Sequence, residues 1–183
     1  LKPKLLPRIP ASASFLFMNS QPNSKAILWG GLMCGVMDMT AACIFYGVLR
    51  GNPPIRIMQS VATGLLGAAS YDGGVATAVL GLFLHFVIAF SAASVFYFAS
   101  RKLPAMLRYT IVCGLLYGIA VYFFMQLVVV PLSAFPHKGP FTVKGLVTGI
   151  TIHMFCVGLP ISVAARKFAG GIKTQSRRIL THT

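Results

Sequence analysis

The chain has 183 residues, 56% hydrophobic and only 10% charged, and its sixteen Lys and Arg face two acidic residues, Asp38 and Asp72. A mean hydropathy of +0.79 excludes a disordered chain, and so low a charge content argues against a soluble domain, where about a quarter of residues are charged. The two carboxylates lie far apart in sequence, so no acid pair exists for glycoside hydrolysis; HExxH, EF-hand and P-loop patterns are absent too.

Residues 1–24 open with LKPKLLPRIPASASFLF, which is basic, proline-containing and free of acid. No apolar run of seven residues precedes ASAS, so a secretory signal is not expected, although the composition suits a transit peptide. MNSQPNSK from Met18 resembles a natural start, and the segment before the first span is expected to be disordered. The first apolar run covers residues 26–49, between Lys25 and Arg50. A helix of this length crosses a hydrocarbon core about 30 Å thick.

The following loop is broken by Asn52-Pro53-Pro54 and again by Gly73-Gly74. Between the breaks, Ile55, Met58, Val61, Ala62, Leu65 and Leu66 recur at helical spacing, opposite Arg56, Gln59, Ser60 and Thr63. About sixteen residues cover roughly 24 Å as a helix, marginal for crossing. The expectation is an amphipathic helix over residues 55–70 lying on the outer surface as a lid, with a re-entrant segment as the alternative.

Further apolar runs cover residues 75–100, the stretch from after Arg108 to about Pro131, and residues 142–165. Strand alternation is missing from all four, which argues against a β-barrel. The expected fold is all-α: a polytopic four-transmembrane-helix bundle over residues 25–167, with the extra amphipathic helix in its first outer loop. A basic cytoplasmic tail over residues 168–183 completes the chain. Pro131 should end the third span, and Pro160 should kink the fourth beyond His153.

With the N-terminus in the cytoplasm, the inner cations are Lys2, Lys4, Arg8, Lys25, Arg101, Lys102, Arg108, Arg166, Lys167, Lys173, Arg177 and Arg178. The outer ones are Arg50, Arg56, Lys138 and Lys144, and twelve against four places both termini in the cytoplasm. The net charge of +14 is read as this topology signal, with attraction to anionic headgroups, and not as a nucleic-acid footprint. Trp29, Tyr46, Tyr97 and Tyr109 fall near expected helix ends, where amphipathic rings sit at headgroup level.

Cys34, Cys43, Cys113 and Cys156 all lie in spans without CxxC spacing, so they read as small apolar fillers. The glycines carry more pattern. Gly31-x-x-x-Gly35 in the first span matches Gly114-x-x-x-Gly118 in the third, and Gly81-x-x-x-His85 in the second matches Gly149-x-x-x-His153 in the fourth. Spans one and two therefore look like a hairpin repeated in parallel as spans three and four. Together with Gly145 and Gly149, these glycines are candidates for close helix packing.

Asp38, His85, His153 and Gln126 fall within a slab roughly 10 Å thick, on faces rich in small residues, and are expected to converge inside the bundle. Four readings follow. Asp38 can simply lock helix register by bonding the histidines. The group can form a path for a proton or small solute. Asp38, His85 and His153 match a metal ligand set in residue type, softened by Met37, Met39, Met125 and Met154. His85 and His153 can also be the axial pair of a haem b.

The run from GNPPIRIMQSVATGLLGAAS through GLFLHFVIAF to VVPLSA and HMFCVGLP resembles small four-span bacterial inner-membrane proteins of a YagU-like kind, whose function is unknown. The resemblance covers residues 25–167. It implies a bacterial plasma membrane and a helical bundle, and carries no activity and no catalytic residues. The leading expectation is binding or passage of a proton, metal ion or small solute at the polar centre. The alternatives are an accessory or scaffolding subunit, which would pack other membrane subunits or a second copy through its GxxxG faces, and a haem b redox protein.

Overall fold

The computed structural model describes residues 23–48, 51–136 and 142–169. The basic leader, nearly all of the basic tail, Arg50 and Lys138 lie outside them. Five helices organise the described residues, and no strand occurs among them. They are α1 (Ser24–Val48), α2 (Pro54–Leu66), α3 (Gly74–Lys102), α4 (Thr110–Leu132) and α5 (Val143–Phe168). All but α2 are long and apolar enough to cross a membrane.

Local chemistry sets the boundaries. The side chain of Asn23 caps α1 by accepting from the Lys25 N–H at 3.2 Å, and that of Thr142 caps α5 by accepting from the Gly145 N–H at 3.2 Å. Pro54 occupies the first turn of α2, where its missing N–H costs nothing. Gly67, at φ 62°, ends α2 and turns the chain into a 3-10 segment, Gly67–Asp72. Both prolines of the last spans sit inside helices: Pro131 in the final turn of α4, and Pro160 in α5.

Three stretches wind as π-helix: Cys43–Val48 in α1, Met125–Val129 in α4 and His153–Gly158 in α5. The last runs up to the turn holding Pro160, where a carbonyl loses its usual N–H partner and the wider winding redistributes the bonds.

Large apolar side chains face outward along the long helices, among them Leu32 and Ile44 on α1, Phe83 on α3, Leu116 and Leu127 on α4 and Phe155 on α5. A soluble bundle would hide these, whereas lipid accepts them. The buried core is made mostly of small residues. Cys34, Ala89, Ala93, Phe96, Val157, Ile161 and Ala165 meet in the half nearer the described termini. There the Tyr117 hydroxyl of α4 donates to the Ala92 carbonyl of α3 at 2.7 Å, with its ring edge-on to Phe96. At the same end the Asn23 N–H donates to the Tyr97 hydroxyl at 2.7 Å, and its amide donates to the Phe168 carbonyl at 2.9 Å.

Glycines set the helix spacing. On α1, Gly31 lies under the ring of Phe90 and Gly35 under that of Phe86, both from α3. On α4, Gly114 lies against Gly158 and Ser162, and Gly118 against His153 and Met154, all from α5. The two hairpins thus share one contact pattern: stepping from Gly31 to Gly114 and from Gly35 to Gly118 moves the partner from Phe90 to Gly158 and from Phe86 to Met154. The last two steps are the same as that from His85 to His153. Gly149 lies under the Tyr122 ring, but Gly145 meets only its own cap residue, Thr142, and packs against no other helix.

α2 crosses the end of the bundle opposite the described termini. It begins beside α1, where Gly47 meets Asn52 and Ile57, passes over Gly81 of α3 with Met58 and Ala62, and reaches the chain after α4, where the Ala134 N–H donates to the Gly64 carbonyl at 2.9 Å. A helix is present where sequence placed one, but it stops at Leu66 and its faces follow the expectation only in part, with Ala62 buried and Arg56 exposed as expected. Gln59 and Thr63, expected on the polar outer face, are 3% and 0% exposed, while Ile55, Leu65 and Leu66 point outward. The reason is a polar seam against α3. Gln59 Nε2 donates to the Gly74 carbonyl at 2.9 Å, the Ser70 hydroxyl to the Gln59 carbonyl at 2.7 Å, and the Thr77 hydroxyl to the Ser70 carbonyl at 2.7 Å. Buried polar groups that satisfy one another can face the protein while apolar ones face lipid.

Candidate functional site

Under the first half of α2 lies a cavity of about 610 Å³, within the usual range of ligand sites, roughly 300–1,000 Å³. α1 supplies Asp38, Met39, Ala42 and Tyr46; α3 supplies His85. The start of α2 closes it with Asn52 and Pro53 just ahead of the helix, then Arg56, Ile57, Ser60 and Val61. Tyr71 and Phe135, from the segments after α2 and α4, complete the wall.

Asp38 comes to this wall because it follows the Gly31–Gly35 face of α1 by one turn, where the tight contact with α3 gives way to the cavity. Its side chain is half-buried and makes no hydrogen bond or ion pair with any described residue. A carboxylate at that depth of an apolar helix is costly without a partner. His85 Nε2 lies 2.9 Å from the Gly35 carbonyl oxygen. A carbonyl can only accept, so Nε2 carries the hydrogen, and in the neutral ring Nδ1 is the remaining acceptor. Arg56 is exposed at the mouth, its guanidinium 5.2 Å from the centre of the Tyr71 ring. That is within cation–π range.

Asp38 and His85 therefore line one cavity, and His153 and Gln126 do not line it. His153 opens the π segment of α5, where its Nδ1 lies 2.9 Å from the Gly149 carbonyl of its own helix and its ring stands edge-on to Tyr122, 5.3 Å between centres. Gln126 is half-buried in the π segment of α4. The ligand set of Asp38, His85 and His153 is not assembled: among the described residues no three His, Cys, Asp or Glu side chains are grouped to hold a metal ion. The haem arrangement needs both imidazoles turned to a common space, but His85 is turned to Gly35 of α1 and His153 to Tyr122 of α4. The four cysteines are free thiols.

Sequence reasoning missed Tyr46, Asn52, Arg56, Ser60, Tyr71 and Phe135 as lining residues. A signal was present on α2, where Pro53, Arg56, Ile57, Ser60 and Val61 form a stripe at helical spacing. Ranking its faces by hydrophobicity alone hid that stripe. Comparison with family models, curated proteins and solved structures finds no match.

Proposed function

We propose that the chain is an integral protein of a bacterial inner membrane, with both termini cytoplasmic, that binds a small polar solute in the cavity under α2 and serves its passage across the bilayer. The observation that carries this reading is Asp38: a carboxylate in an apolar helix, without a partner among the described residues, on the wall of a cavity large enough for a solute. His85 adds a hydrogen-bond-accepting ring nitrogen to the same cavity, and α2 is a roof whose displacement would open the site. The resemblance to YagU-like proteins agrees with that membrane and with four spans.

The test is thermal unfolding of the purified protein in lipid nanodiscs against a panel of small amines, amino acids, alkali cations and neutral polyols. At least one class should raise the midpoint of the wild type, with the effect lost in Asp38→Asn. A panel without effect, or shifts equal in both proteins, overturns the reading.

A further inference from the structure

We infer that the solute of this cavity is a small zwitterion, its cationic end toward Asp38 and its anionic end toward Arg56; this rests on the solute-binding reading above. Asp38 is the single carboxylate and Arg56 the single Lys or Arg among the described lining residues. They do not neutralise each other, because no ion pair joins Asp38 to any described residue and the guanidinium rests on Tyr71. Asp38, half-buried in an apolar helix, is poorly compensated, and Arg56 places the opposite charge at the exposed mouth of the same cavity. A ligand carrying both signs compensates both at once, whereas a simple cation or anion leaves one charge uncovered.

The rest of the wall agrees with that polarity. The cavity borders the first turn of α2, so the positive dipole end of that helix lies on the same side as Arg56. The aromatic rings of Tyr46 and Phe135 on the wall are of the kind that attracts an ammonium, methylated or not. Ser60 and Asn52 supply neutral hydrogen-bonding groups on the same wall. The shared chemistry is an ammonium joined by a short linker to a carboxylate or phosphate, which a free amino acid or betaine and an ethanolamine or choline lipid headgroup all possess.

The experiment is a binding series by thermal shift on the full chain in phosphatidylglycerol nanodiscs. The soluble probes are L-alanine, glycine betaine and O-phosphoethanolamine, with tetramethylammonium and acetate as single-charge controls. A parallel set of nanodiscs contains phosphatidylethanolamine, which separates a lipid headgroup from a free solute. A zwitterion, soluble or lipid, should stabilise the wild type at least about tenfold more effectively than either control, as expected when one charge-assisted contact is gained. Arg56→Gln, a change at an exposed side chain that leaves the helix contacts intact, should erase that advantage without altering the response to tetramethylammonium. If tetramethylammonium matches the zwitterions and Arg56→Gln changes nothing, the zwitterion is wrong and a cation site at Asp38 remains. If no probe and no lipid has any effect, the solute-binding reading itself fails.

Discussion

His85 of α3 holds the carbonyl oxygen of Gly35 on α1 at 2.9 Å, and the neighbouring Phe86 ring fills the space above Gly35 where a side chain would stand. The carbonyl has two lone pairs, so it accepts from the imidazole without giving up its place in the helix. This bond fixes α1 against α3 one turn before Asp38, and so fixes where the carboxylate meets the cavity.

Replacing His85 should therefore separate shape from hydrogen bonding. Glutamine places an amide N–H near the position of Nε2, while leucine keeps bulk and removes the donor. His85→Leu should cost roughly 0.5–2 kcal/mol, the range for hydrogen bonds between membrane helices, and His85→Gln less. Unfolding in a graded detergent mixture measures both; equal losses would mean the bond contributes nothing.

The two hairpins should respond differently to alanine at the glycines of their helix contacts. A methyl group on Gly158 would strike the Gly114 carbonyl and the Gly118 backbone, which cannot turn aside. A methyl group on Gly31 would strike the Phe90 ring, whose outward rotation into lipid relieves the clash. Gly158→Ala should cost about 1–3 kcal/mol, the usual penalty for overpacking, and Gly31→Ala clearly less. The same detergent titration gives the order, and a reversed order would mean α4 and α5 are not in backbone contact.

Single cysteines on α2 test which of its residues face inward, in a background where the four native cysteines are alanine. Arg56→Cys should react with a charged, membrane-impermeant maleimide, because that position opens to the cavity mouth. Thr63→Cys, at a site 0% exposed, should react with nothing, and Leu65→Cys, at a side chain 62% exposed, should react with a lipid-phase reagent. Rapid aqueous labelling at Thr63→Cys with silence at Leu65→Cys would restore the opposite orientation, polar face outward.

The spans were legible because lipid imposes a requirement that few sequences meet by accident: about twenty apolar residues in a row with every backbone bond satisfied internally. The GxxxG pairs were legible for a related reason, since only glycine permits the approach that Gly114 and Gly118 make to α5. The orientation of α2 was not. Sorting a helix into apolar inside and polar outside presumes water outside, and here the polar residues Gln59 and Thr63 turn to the protein. His153, which does not line the cavity, is a different case. Depth and helix face placed it near Asp38, but its ring folds back onto the Gly149 carbonyl, an oxygen that also accepts from the His153 backbone N–H. A side-chain rotamer and the start of a π segment leave no periodic trace in sequence.

Orientation in the membrane gives the last prediction. Among the described cations, the helix order puts Lys25, Arg101, Lys102, Arg108, Arg166 and Lys167 at the end of the described termini, and Arg56 and Lys144 at the end crossed by α2. Cations are retained on the cytoplasmic side during insertion, and short loops obey this bias most strictly. The end that holds the cavity mouth should therefore face outward, with its acidic neighbour Asp72. A fluorescent protein fused after residue 183 should fold and fluoresce in cells, while alkaline phosphatase inserted after Asp72 should be active. Phosphatase activity at residue 183 with none at Asp72 would invert the molecule, and the cavity would then receive its solute from the cytoplasm. The charge argument has its own control. Exchanging Arg101, Lys102 and Arg108 for glutamine lowers the bias of the whole chain only from twelve against four to nine against four, so the reporters should keep their orientation.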